Sequence, residues 1–185
     1  MEATLIKDMM VPLADYATVS EEATLFEAVM ALKEAQQHFD QNRYRHRAVL
    51  VLDNRQNVVG KVSQIDVLKA LEPKYRGLGD LKELEGLYGF KADGIRQMIT
   101  DHGLWKQPLD DICRKAAAVK VRDIMNTPTQ GEYVSEEATL NEGVHQLILG
   151  RHQSLLVTRG KEIVAVLRLT DVFHRISNLM ETCGI

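Results

Sequence analysis

Ser63 and Asp66 stand three residues apart where a helix is expected to begin, and a hydroxyl and a carboxylate at that spacing allow two kinds of chemistry. A hydroxyl in a first helical turn joins backbone donors that favour a phosphate, and a carboxylate can accept two hydrogen bonds from a ligand. The plainer alternative is that Ser63 caps the helix with Asp66 as its acidic first-turn partner. Asp171 repeats Asp66 105 positions later, but the position of Ser63 is then taken by Arg168. An arginine there either holds a phosphate by paired donors or fills the space with its bulk. Two basic clusters, Arg45-His46-Arg47 and Arg151-His152, precede the apolar runs AVLVL and SLLV, and each taken singly reads as a solvated basic turn.

Other chemistries find little support. Gly89 and Gly94 in GFKADG have phosphate-loop spacing, but no Lys followed by Ser or Thr comes after them and no strand leads in. The six histidines show no metal-ligand spacing, and neither a serine-nucleophile motif nor a triad is present, so no metal and no catalysis are expected. A formal net charge of -3 supplies no reason to favour nucleic acid or an anionic membrane. Two isolated cysteines, Cys113 and Cys183, suit a reducing compartment. With no signal-peptide pattern in MEATLIKDMM and no 18-residue apolar run, a cytoplasmic protein is expected.

The elements that must position these residues come in two copies. SEEATL occurs at Ser20–Leu25 and at Ser135–Leu140, and IKDMM from Ile6 is answered by VRDIM from Val121 at the same offset of 115. GKVSQIDVL from Gly60 is answered by AVLRLTDVF from Ala165 at an offset of 105, so the first unit carries ten extra residues. Thr24 with Glu27, and Thr139 with Glu142, are capping boxes. Leu25, Ala28, Val29 and Leu32 follow the first at helical spacing, and Leu140, Val144, Leu147 and Ile148 follow the second. The first helix is expected to run on to Arg43 and the second to stop at Gly150. A hairpin then leads to a closing helix, Ser63–Leu71 or Thr170 to about Met180, the latter with Val172, Phe173, Ile176, Leu179 and Met180 on its buried face. Units of roughly 60 residues bury a core poorly alone, which suggests that the two pack face to face about a pseudo-twofold axis.

Between them, three short helices are expected: one capped by Asp80 with Leu81, Leu84 and Leu87, one capped by Asp93 with Ile95, Met98 and Ile99, and one opened by Pro108 with Leu109, Ile112, Cys113 and Ala116. The chain thus divides into a first unit at 1–72, a helical insert at 73–118, read mainly as a packing element, and a second unit at 119–185.

The repeated opening VRDIM, the capped helix after VSEEATL, the hairpin and the close GKVSQID together resemble a tandem pair of CBS domains, the Bateman module. The resemblance covers Leu5–Leu71 and Val119 to about Met180, and the insert lies outside it. It implies an α/β (α+β) fold of two β-α-β-β-α units with two clefts that commonly bind AMP, ADP, ATP or S-adenosylmethionine. Such modules sense and regulate, usually as homodimers, and do not catalyse. On this resemblance Ser63 and Asp66 would serve the ribose and first phosphate, with Asp171 and the divergent Arg168 in the second cleft. His46 and Arg47, with His152 in the matching place, would face phosphates. The chain before each capped helix, Ala17, Thr18 and Val19 or Glu132, Tyr133 and Val134, would meet the adenine edge. The first-unit cleft is expected to be the stronger site. The alternative is a scaffold that pairs without a ligand.

Overall fold

The computed structural model describes residues 4–38, 46–77, 91–106 and 110–182. In chain order the elements are β1 (Val11–Pro12), β2 (Thr18–Ser20), α1 (Leu25–His38), β3 (Ala48–Leu52), β4 (Val58–Ser63), α2 (Gln64–Leu71), α3 (Ala92–His102), α4 (Asp110–Ala118), β5 (Tyr133–Ser135), α5 (Leu140–Gly150), β6 (Ser154–Arg159), β7 (Glu162–Arg168) and α6 (Leu169–Thr182). Both capping boxes form: Glu27 accepts the Thr24 amide at 2.6 Å and Glu142 the Thr139 amide at 2.7 Å, while each threonine hydroxyl accepts the amide three residues on. Each box supplies partners for donors that a helix start leaves unpaired, which fixes where α1 and α5 begin.

The apolar spacing marks each helix but overstates its buried face. Leu25, Ala28 and Leu32 are buried on α1, whereas Val29 is exposed; Leu147 is buried on α5, whereas Ile148 is exposed. On α6, Val172 is buried and Ile176 packs against its core, but Phe173, Leu179 and Met180 lie in solvent. Two-layer packing covers only one stripe of each helix, so the second apolar stripe stays bare. Helix α5 stops at Gly150 as expected, and the left-handed residue that follows it is Arg151, with φ of 51°. The expected run of α1 beyond His38, the helix at Asp80 and Pro108 with Leu109 fall outside the described residues.

The strands form two sheets, one in the order β2-β3-β4 and one in the order β1-β7-β6-β5. In each, a short strand runs parallel to the first strand of a hairpin, with Val19 beside Val51 and Val134 beside Val157. Both hairpins carry a bulge at the repeat-equivalent place, between Val51 and Leu52 and between Val157 and Thr158.

The openings of the two units are exchanged. β1 pairs with β7, Val11 beside Val166, and Ile6 is buried with Leu147, Leu155 and Leu167 of the second unit. Reciprocally, Asn126 bridges Lys61 on β4, and Val121 is buried with Ala28, Val49 and Val62 of the first. A Cβ at Gly60 would lie 2.5 Å from Met125 Sδ, so the glycine that opens the repeated close leaves room for the Met125 side chain of the exchanged segment. A third cluster joins the sheets, where Leu50 of β3 and its repeat-equivalent Leu156 of β6 are buried with Val11, Tyr16 and Val166. Each folded core therefore takes its opening segment from the other repeat.

Of the insert, α4 packs on the first unit, Ala116 being buried with Leu25 and Ala70, and Lys115 donates to the Leu71 carbonyl. Helix α3 is preceded by Lys91 in the capping position; Asp93 sits inside the first turn, paired with Arg96, and is not the cap. Gly103 ends α3 in the left-handed conformation, Leu104 is buried, and the Trp105 amide donates to the buried Glu72 at 2.7 Å. Among the described residues, no helix is long and apolar enough to cross a membrane.

Candidate functional site

The closing helix α2 begins at Ser63, whose hydroxyl accepts the Asp66 amide at 3.4 Å while Asp66 Oδ2 accepts the Ser63 amide at 2.9 Å. The capping role weighed from sequence is thus real, and it leaves a functional group over. Asp66 Oδ2 takes three donors, the Ser63 amide, the Ser63 hydroxyl at 2.5 Å and Asn126 Nδ2 at 2.7 Å. Among the described residues none reaches Oδ1, so a buried, oriented carboxylate keeps one oxygen for a ligand donor. Asn126 is present only because the second unit's opening segment is exchanged onto β4.

Ser63 and Asp66 border a cleft of about 530 Å³ whose other walls come from both units. Arg47 enters from the lead into β3, Arg151 and His152 from the turn after α5, and Arg168 from the end of β7. A Cβ at Gly150 would fall 2.0 Å from His152 Nε2, so only glycine there lets the histidine ring fold back into the cleft wall. Among the described residues neither Arg47 nor Arg151 has an acidic partner, which leaves two cations for an anion. Lys61 and Glu132 form an ion pair that links β4 to the lead into β5. Burial pushes the Glu132 carboxyl up, but the Lys61 ammonium and the Thr129 amide more than offset that and hold it below the usual carboxylate range.

Seven of the residues singled out from sequence, Arg47, Ser63, Asp66, Glu132, Arg151, His152 and Arg168, border this cleft. His46 and Asp171 do not line it. His46 is fully buried, its ring 4.3 Å from that of Tyr16 and its Nδ1 3.5 Å from Arg168 Nη1. Burial and the Arg168 charge push His46 down to about 4, and burial pushes Tyr16 up to about 12. Arg168 is buried and grips Asp171 with two bonds, Nε to Oδ2 at 2.5 Å and Nη2 to Oδ1 at 2.6 Å. Ala17, Thr18, Val19, Tyr133 and Val134 lie outside the cleft wall, although Glu132 is part of it. Several of their carbonyls are occupied: that of Ala17 takes the Leu50 amide, that of Tyr133 the Gln146 side chain and that of Val134 the Thr158 hydroxyl.

Sequence reasoning missed Asn126 and Lys61, and expected of Glu132 only its backbone, because the places of these side chains depend on the exchanged opening and on contacts across the cleft. Among the described residues, no group of three or more His, Cys, Asp or Glu side chains could hold a metal ion.

With this geometry in hand, the sequence model of the CBS domain family matches residues 6–73. No curated protein matches the chain in sequence. Among solved structures it is similar to the CBS-pair protein CBSX2 from Arabidopsis thaliana, at 17% identity and TM-score 0.61, covering 97% of this chain and 98% of that one. A structure of CBSX2 in complex with AMP gives 16% identity and TM-score 0.59, covering 95% and 97%. The CBS domain of a bacterial CNNM/CorC family Mg2+ transporter in complex with ATP gives 16% and 0.58, covering 94% and 87%. The CBS domain model thus covers the first repeat, and the chain as a whole has the fold of a CBS-pair protein.

Proposed function

We propose that the chain is a regulatory, non-catalytic module that binds an adenosine-containing nucleotide in the cleft at Asp66 and passes the binding event to a partner. The observation that carries this reading is the spare Oδ1 of a buried, fully oriented Asp66 in a cleft that also presents Arg47, Arg151 and His152. A carboxylate oxygen suits a ribose hydroxyl, and the arginines suit phosphate. The AMP and ATP held by two structures of the same fold support the choice of ligand class. The exposed thiol of Cys113 is compatible with a reducing cytoplasm.

A thermal-shift panel of AMP, ADP, ATP and S-adenosylmethionine tests the reading. A ligand at 100 times its dissociation constant adds about 2.7 kcal/mol, and at least one of the four should raise the unfolding temperature saturably. A flat response to all four at millimolar concentration would leave the ligand-independent scaffold as the better account.

A further inference from the structure

The two units place equivalent positions in very different states. Counting by the repeat, Arg168 occupies the place of Ser63, Asp171 that of Asp66, His46 that of His152 and Tyr16 that of Gly131. Around Asp66 these positions are small or open: a Cβ at Gly131 would meet nothing nearer than His152 Nε2 at 3.8 Å. Around Asp171 they are filled. Tyr16 is 8% exposed and His46 0%, their rings in edge contact, and the Arg168 side chain is 5% exposed.

The carboxylates differ in the same sense. Asp66 concentrates its donors on Oδ2 and keeps Oδ1, whereas both oxygens of Asp171 are engaged by one guanidinium. A bidentate guanidinium offers a carboxylate two parallel donors, which is what a vicinal diol would offer. Ser63, with its short side chain, provides no such internal substitute. Arg168 also borders the open cleft, so the residue that closes one site lends a fixed positive charge to the wall of the other.

We infer that the chain binds one nucleotide and not two, because Arg168, backed by Tyr16, takes the place of the ligand on Asp171. This rests on the nucleotide-binding reading of the Asp66 cleft and goes beyond it by assigning the stoichiometry and the residue that sets it. Isothermal titration of the whole chain with AMP and with ATP should give one nucleotide per chain, and Asp66→Ala should weaken that site roughly 5- to 150-fold. In the Asp66→Ala background, Arg168→Ser should add a second, tighter saturable site, and adding Asp171→Ala should remove that gain.

Two nucleotides per wild-type chain, or no second, tighter site in a folded Asp66→Ala, Arg168→Ser protein, would overturn the inference while leaving the first reading intact. Failure of the wild type to bind either nucleotide would instead overturn the reading beneath it. Should the variants unfold, hydrogen exchange on the wild type decides. Nucleotide should protect the amides at the start of α2 and leave those at the start of α6 unchanged, and protection at both starts would contradict single occupancy.

Discussion

Asp66 and Asp171 hold the same place in two copies of one unit, and their partners decide what each can do. The local part of that difference is legible in the sequence: Ser63 and Asp66 form a cap within one turn, and the replacement of Ser63 by Arg168 is visible in the repeat. The rest is not, because Asn126 reaches Asp66 from 60 positions away and Arg168 meets His46 from 122 positions away. The packing of His46 has a measurable consequence. Its imidazole titrates near 4 in the folded chain, through burial and the Arg168 charge, against about 6.5 when unfolded. Between these values the unfolded chain binds the additional proton, so this contribution is complete above about pH 6.5 and is lost as pH falls toward 4. Its size is on the order of 1–3 kcal/mol. Glu27, Glu132, Glu136 and Glu142, whose carboxyls are held low, lose their contributions only as pH falls from about 4.5, below most of this window. Urea unfolding across it should show stability falling with acidification in the wild type and a flatter profile in His46→Gln; parallel profiles would contradict the burial argument.

At the scale of elements, the repeat makes the helices and hairpins readable because caps, apolar spacing and turns act within a few residues. It misleads on exposure, since Val29, Ile148, Phe173, Leu179 and Met180 satisfy a helical period yet face solvent. Exposure is set by which neighbour lies against a helix, and a period cannot name a neighbour. One such neighbour has functional weight. Helix α2 starts at the cleft with Ser63 and Asp66 and ends at the buried Glu72, which accepts the amides of Lys74 and Trp105. Helix α4 lies along the same unit through Ala116, and Lys115 donates to the last carbonyl of α2. A ligand that tightens the first turn of α2 therefore acts on a helix whose far end anchors the insert, and coupling follows if two docked states differ in ligand affinity. Hydrogen exchange with and without nucleotide should show altered protection at 91–106 and 110–118 as well as at the cleft. Changes confined to the cleft would make the insert a passive brace.

At the scale of the whole molecule, the reciprocal exchange of opening segments makes each core depend on both repeats. Ile6 completes the second core and Val121 the first, so the cleft between the sheets is built by the same contacts that hold the fold. The sequence displays two equivalent openings but cannot show which unit each one enters, because both arrangements satisfy the same local pattern. The bare apolar stripe of α6, with Phe173, Leu179 and Met180, is the surface expected to pair two chains. Light scattering at tens of micromolar should give the mass of a dimer, Phe173→Glu should lower it to that of one chain, and a monomeric wild type would contradict the pairing. Whether Asp66 receives a nucleotide is decided by calorimetric titration of the wild type beside Asp66→Ala. The predicted result is saturable binding of AMP or ATP by the wild type, weakened by about 1–3 kcal/mol, or roughly 5- to 150-fold, in the variant. Equal affinity in the two proteins would contradict it.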